Sequence, residues 1–100
     1  MFIAIYKWRV KPALEKQFID SWAEVTALYR EMPGSLGSRL HKGSDGLWYG
    51  YAQWRSDEDR AAAFAKPPET PAREILRDAI LETFVEIRLE LVSDYLLPLE

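Results

Sequence analysis

The sequence predicts an α+β fold in which helices cover one face of a single four-stranded antiparallel sheet. Its segments read in the order strand, helix, strand, strand, helix, strand, which is the ferredoxin-like split βαβ arrangement. The first and third strands carry the densest apolar and aromatic content, as the central strands of that sheet should. A chain of 100 residues with 48% hydrophobic and 29% charged side chains suits one globular domain, here residues 1–98.

The first half of the chain divides into a strand, a long helix and a hairpin. Residues 2–10 are rich in β-branched and aromatic side chains and lack Gly and Pro, which predicts a strand. Apolar residues then recur at spacings of three and four, so we expect a helix that begins near Pro12 and stops at Pro33-Gly34. Residues 36–42 and 47–54 flank a Gly-rich turn and predict the hairpin. The helical stripe consists of Leu14, Phe18, Trp22, Val25, Tyr29 and Met32.

The second half predicts a helix in two pieces and a final strand. The Ser56 hydroxyl is expected to cap the first piece ahead of three acidic residues, and Phe64 anchors its Ala-rich body. Thr70-Pro71 opens the second piece. Residues 85–91 alternate apolar and charged side chains, which predicts a strand, although a continued helix is an alternative for them. The stripe of the second piece is Ile75, Leu76, Ala79 and Ile80.

The first and third strands are apolar on both faces, whereas helices can cover only one face of the sheet. An exposed aromatic face of several hundred Å² is unusual on a monomer, so we expect a homodimer that buries the second face. Tyr49 and Tyr51 belong to that face, and the apolar tail formed by Tyr95, Leu96 and Leu97 is expected to join the interface.

Composition excludes several classes of function. A net charge of -3 and a pI near 5.2 argue against nucleic acid and anionic membranes as partners. The chain has no cysteine, one histidine and no Gly-rich phosphate loop, so we expect no metal, flavin or haem cofactor. No segment is long and apolar enough to span a bilayer, and a cytoplasmic location is the default expectation. Residues 99–100 match a common cloning scar and are set aside.

Several short motifs together resemble the antibiotic biosynthesis monooxygenase family of dimeric α/β barrels. The likeness covers residues 1–68, and the motifs occupy residues 7–12, 18–22, 33–41, 53–54 and 56–59. The resemblance implies the fold described above and a homodimer. It also implies an activity from that family, whose members include cofactor-independent oxygenases of polycyclic phenols and anthrones, and haem-degrading enzymes.

The chain departs from the haem-degrading members of that family. Trp54 matches their strand-three Trp, but Ile5 stands near the position of their Asn, and residues 67–81 contain no His to ligate iron. Ala63 and Pro68 occupy positions where many other members carry His. A haem-degrading role is therefore the least supported of those activities.

Three residues are candidates for the chemistry. His41 is a candidate general base because its ordinary pKa suits proton abstraction from a phenol or anthrone, and a solvated surface histidine is the alternative. Tyr6 and Tyr51 are candidate proton acceptors or hydrogen-bond donors.

Aromatic side chains and one positively charged side chain are expected to bind a small aromatic ligand. The resemblance makes Trp54 the first candidate wall, and Trp22 and Trp48 are further candidates, with packing in the core as the alternative. Arg39 alternates with His41 on the second strand and is expected to contribute charge. The leading hypothesis is a cofactor-independent monooxygenase of a small cyclic aromatic or phenolic compound. A non-catalytic binding or sensing module of the same fold is the rival.

Overall fold

The helices and strands follow the predicted order, with one addition near the C-terminal end. The computed structural model describes residues 1–99, and Glu100, half of the predicted scar, lies outside the described residues. The elements are β1 (Phe2–Val10), a short 3-10 helix (Pro12–Leu14), α1 (Glu15–Arg30), β2 (Ser35–Lys42), β3 (Trp48–Trp54), α2 (Asp57–Ala65), α3 (Ala72–Asp78), β4 (Ile80–Thr83) and β5 (Ile87–Glu90).

All strands belong to one antiparallel sheet. β1 pairs with β3 on one side and with both β4 and β5 on the other, while β2 pairs with β3 at the edge. The prediction of an α+β ferredoxin-like sheet with the first and third strands in the centre is confirmed. The sheet has five strands rather than the predicted four.

The last strand of the sheet is split into β4 and β5 because this part of the chain has one more residue than the stretch of β1 that it faces. Trp8 of β1 pairs with Thr83 of β4. Three positions earlier in β1, Ile5 pairs with Ile87 of β5, which lies four positions after Thr83. The surplus residue makes a bulge within residues 84–86, and a bulge interrupts the ladder and bends the strand. The final strand predicted over residues 85–91 is therefore shorter and begins at Ile87.

The helix before that strand also ends earlier than its apolar stripe predicted. Ile80 was expected on α3, but it is the first residue of β4 and pairs with Val10. α3 stops at Asp78, and the Ala79 carbonyl accepts a hydrogen bond from the Lys11 amide at 2.9 Å. Pairing with β1 thus replaces the helical bonding at this point.

The core lies between the sheet and α1. Phe18 of α1 is fully buried, and its ring centroid lies 5.5 Å from that of Trp8 and 5.4 Å from that of Trp48. A second part of the core groups Trp54 with Ala63 of α2. The alternation of side chains along β1 and β3 therefore directs one aromatic set toward the helices, as predicted.

The second helix begins as predicted but packs differently. The Ser56 hydroxyl accepts a hydrogen bond from the Asp59 amide at 3.1 Å, which is the expected cap. Phe64, expected to anchor this helix, is 41% exposed, whereas Arg60 and Ala63 are buried. A charged side chain thus occupies the buried face of α2.

The opposite face of the sheet carries exposed apolar side chains. Ile87 and Leu89 of β5 lie there, and they are 55% and 44% exposed. The tail beyond β5 adds a highly exposed apolar set, namely Tyr95, Leu96 and Leu97. Within residues 1–99, no helix has the length and apolar character required to cross a membrane.

Candidate functional site

An apolar cavity of about 180 Å³ lies between the sheet and the helices. Trp54 borders it and is itself 3% exposed. Its walls come from β1, β3, all three α-helices and one residue of β2. The lining residues are Tyr6, Trp8, Trp22, Val25, Thr26, Tyr29, Ser38, Gly50, Tyr51, Ala52, Trp54, Phe64 and Leu76.

Aromatic rings form much of the cavity wall. The Tyr6 ring stacks on Trp8 with centroids 5.9 Å apart and on Phe64 with centroids 6.4 Å apart. The ring centroids of Tyr29 and Phe64 lie 5.3 Å apart, and the two ring planes are tilted relative to each other. Flat, mutually packed rings give a planar ligand faces and edges against which to pack. The lining includes no carboxylate and no imidazole, so the cavity favours a neutral or delocalised ring system.

The Tyr6 hydroxyl is held by Arg60, which the sequence interpretation did not single out. Arg60 Nε donates a hydrogen bond to the Tyr6 hydroxyl oxygen at 3.0 Å. Arg60 is 5% exposed, and its guanidinium carbon lies 4.5 Å from the Phe64 ring centroid. The sequence contained a signal for this placement. Arg60 lies four positions before Phe64, the residue expected to anchor the helix, so the two side chains share one face of α2.

The bulge at residues 84–86 supplies the counter-ion of Arg60. Glu86 accepts a hydrogen bond from the Arg60 guanidinium, and Arg88 approaches the other carboxylate oxygen of Glu86 at 3.5 Å. Because a buried guanidinium without an anion is unfavourable, this ion pair allows Arg60 to remain beside Tyr6. Residues from β1, α2 and the bulge thus form one series of polar contacts, from Tyr6 through Arg60 to Glu86.

The environment keeps Tyr6 protonated. Burial raises the pKa of the Tyr6 phenol, and the hydrogen bond and positive charge of Arg60 oppose that shift only in part. With its oxygen accepting from Arg60, the phenol retains its own proton to donate, and no acceptor for that proton occurs among residues 1–99. Tyr6 is thus equipped as a hydrogen-bond donor rather than as a base.

The remaining aromatic candidates occupy different places. Trp22 and Tyr51 are both among the residues that border the cavity. The side chain of Tyr51, however, lies on the open face of the sheet, because Tyr51 pairs with Ile5, and there its hydroxyl donates to the Gln53 side-chain oxygen at 3.3 Å. Trp48 packs against Phe18 in the core and does not line the cavity.

The two polar candidates on β2 lie at the surface. His41 is exposed, pairs with Tyr49 across the sheet and borders no described cavity. Arg39 is also exposed, but it lines a second, polar depression beside the cavity. Among residues 1–99, no three His, Cys, Asp or Glu side chains group as metal ligands.

The family model for antibiotic biosynthesis monooxygenases matches residues 1–70. The chain belongs to the antibiotic biosynthesis monooxygenase family. It is 34% identical over 73 residues to tetracenomycin-F1 monooxygenase of Streptomyces glaucescens, a stretch that covers 71% of this chain and 65% of that protein. The chain therefore spans less than two thirds of this relative.

Solved structures of family members share the fold. SnoaB, a cofactor-independent oxygenase from Streptomyces nogalater, superimposes with a TM-score of 0.79 at 18% identity, covering 94% of this chain and 95% of that one. A monooxygenase from the gene ActVA-Orf6 of Streptomyces coelicolor, in complex with nanaomycin D, gives a TM-score of 0.76 at 25% identity, covering 97% and 92%. The ferredoxin-like family fold is thus shown over nearly the whole chain.

Proposed function

We propose that this protein is a monooxygenase that oxidises a small cyclic aromatic or phenolic compound with O₂ and without a flavin, haem or metal. One observation carries the proposal: Tyr6 lines the aromatic cavity, and its hydroxyl accepts a hydrogen bond from Arg60, which is paired with Glu86, so the phenol keeps its own proton to donate. Membership of the family supports oxygenase chemistry, and SnoaB is described as a cofactor-independent oxygenase.

The cavity dimensions favour a compact ring system. A dry cavity of about 150 Å³ holds benzene. The cavity described above, at about 180 Å³, accommodates one ring or a fused pair of rings. A larger polycyclic substrate would extend beyond it into the neighbouring depression.

In the proposed reaction the substrate reduces O₂ itself. Loss of a proton from an anthrone-like methylene or a phenol gives an electron-rich anion, which transfers electrons to O₂ and forms a carbon–oxygen bond. For a methylene that becomes a carbonyl, the substrate supplies four electrons. One oxygen atom enters the product and the other leaves as water. The protein's contribution is to stabilise the anion, orient it and exclude water.

Tyr6 is the residue to which we assign anion stabilisation. Its hydroxyl would donate a hydrogen bond to the substrate oxygen that gains charge on deprotonation, and such a donor is most effective in a water-poor site. Since no carboxylate or imidazole lines the cavity, the substrate proton would pass to bulk water through the adjoining polar depression. Trp54 and Trp22 would form walls. Tyr51 receives no role in this scheme because its side chain lies on the open face of the sheet. His41 receives no role in this scheme because it borders neither the cavity nor the polar depression.

The test is oxygen consumption with a panel of anthrones and dihydroxynaphthalenes, with the rate of spontaneous oxidation subtracted. Tyr6→Phe is expected to lower kcat by about a hundredfold, as for loss of one preorganised donor. Tyr49→Phe is the matched control, since the Tyr49 hydroxyl bonds to Asp45 at the surface and lines neither the cavity nor the polar depression. Its kcat should remain that of the wild type.

Calorimetry on the same compounds distinguishes the rival function. Binding of several panel compounds with no oxygen consumption above the spontaneous rate would overturn the enzyme proposal in favour of a non-catalytic binding or sensing module. Equal activity of Tyr6→Phe and the wild type would remove the assigned role of Tyr6.

We also propose that the protein is a homodimer closed through the open sheet face. The exposed apolar side chains of β5 and of the tail lie on one continuous stretch of chain, and burying such a surface is favourable. A two-fold axis lets the same face of each copy cover the other. Sedimentation is expected to give twice the 11.6 kDa of one chain.

A further inference from the structure

The polar depression beside the apolar cavity has a volume of about 490 Å³ and lies at the edge of the sheet between α1 and β2. We name it the vestibule. It adjoins the cavity, because four residues line both: Trp22, Thr26, Ser38 and Tyr51. A ligand whose rings occupy the cavity therefore has the vestibule beside it to receive a substituent.

A bulge in β2 makes room for the vestibule. Ser35 pairs with Trp54, and Ser38 pairs with Ala52, so three steps along β2 match only two steps along β3. The extra residue falls at Leu36-Gly37, and Gly37 has a φ of +95°, a conformation that glycine adopts readily. Because a bulge bends the strand and interrupts its pairing, the edge opens beneath α1.

The charge of the vestibule is opposite to that of the whole chain. Arg30 of α1 and Arg39 of β2 line it together, and no Asp or Glu is among its lining residues. The net charge of the chain is -3, so this concentration of positive charge is local. Neither guanidinium has a hydrogen-bond or ion-pair partner within residues 1–99, in contrast to that of Arg60.

We infer that the vestibule binds a carboxylate carried by the aromatic substrate. The inference rests on the proposed function, since it requires the rings to occupy the cavity. A guanidinium presents planar N–H donors that match the two oxygens of a carboxylate. Arg30 and Arg39, contributed by a helix and by the edge strand, line the polar vestibule that adjoins the apolar cavity. They select for an acidic ring compound over a neutral one of the same shape.

The experiment compares 2-naphthoate with 2-naphthamide, which has nearly the same shape without the charge, by isothermal titration calorimetry. The wild type is expected to bind the acid about tenfold more tightly, as for ion pairs at a partly exposed site. Raising NaCl from about 0.05 to about 0.5 M should reduce that preference by screening. The double variant Arg30→Gln/Arg39→Gln should lose the preference but keep the wild-type affinity for the amide.

Arg77→Gln is the matched control, because Arg77 is an exposed arginine that lines neither the cavity nor the vestibule. It should keep the full preference for the acid. Equal binding of acid and amide by the wild type, or a preference that survives in the double variant, would overturn the inference and leave the cavity intact as a site. Failure of both compounds to bind would overturn the inference together with the proposed function.

Discussion

Breaking the ion pair between Arg60 and Glu86 by removing Glu86 is expected to cost more stability than breaking an exposed ion pair. The Arg60 side chain is 6% exposed, and that of Glu86 is 27% exposed. Removal of one member of a buried pair costs about 3 to 5 kcal/mol, and the partial exposure of Glu86 places Glu86→Ala near the lower end, about 3 kcal/mol. For a chain of this length, that loss lowers Tm by about 12 °C or more.

The cost of Glu86→Ala is expected to come from leaving the charge of Arg60 buried and unpaired. Removing Arg60 as well, in Glu86→Ala/Arg60→Met, should therefore make the protein more stable than Glu86→Ala alone. The control is Glu82→Ala, because Glu82 pairs with Arg9 where both side chains are 53% exposed. That change should cost no more than about 1 kcal/mol.

The assay is urea unfolding followed by circular dichroism, with every variant at the same protein concentration because an oligomer's stability depends on it. Equal losses for Glu86→Ala and Glu82→Ala would refute the assignment of a buried pair. A double variant that is less stable than Glu86→Ala would show that the cost arises from lost contacts rather than from an unpaired charge.

Two further predictions concern assembly and pH. Ile87→Glu places a charge on the open sheet face and should yield monomers by sedimentation. The control is Leu28→Glu, a comparably exposed apolar site on α1, which should leave the dimer intact. A dimeric Ile87→Glu protein would contradict the proposed interface. The Tyr49 hydroxyl and the Leu47 amide both donate to Asp45 and lower the pKa of its carboxyl. A carboxyl whose pKa is lower in the folded state than in the unfolded state stabilises the protein at pH values above its unfolded-state pKa. The stability advantage of wild type over Asp45→Asn should therefore shrink as the pH falls below about 4. An advantage that stays constant with pH would contradict this prediction.

Sequence periodicity was sufficient for the order of elements and for the side of the sheet to which most residues belong. The helical stripe that includes Phe18 and the alternation along β1 are local patterns of apolar residues. Each pattern shows by itself which side of its helix or strand is buried. Cap chemistry at Ser56 is equally local, since the donor is only three residues away. The end of α3 at Asp78 was missed because pairing of β4 with β1, a contact distant in sequence, outweighed the helical stripe.

The site was predicted only in part. Trp54 was indicated by the family resemblance, and Tyr6 by its residue type and strand. The cytoplasmic location and the absence of nucleic-acid partners stay predictions from composition. Arg60 was overlooked because an arginine in an Ala-rich helix is ordinarily solvated, and nothing local shows that it reaches a phenol 54 positions away.

By itself, the sequence determined the fold class, the central strands and the aromatic character of the interior, because these follow from the spacing of apolar residues. Only the tertiary structure decided which polar groups meet inside. Two single-residue bulges made the decisive difference: one in residues 84–86 brings Glu86 to Arg60, and one at Gly37 opens the vestibule beside Arg39. A bulge depends on the pairing register between strands, which is a property of two segments together and is not encoded in either one alone.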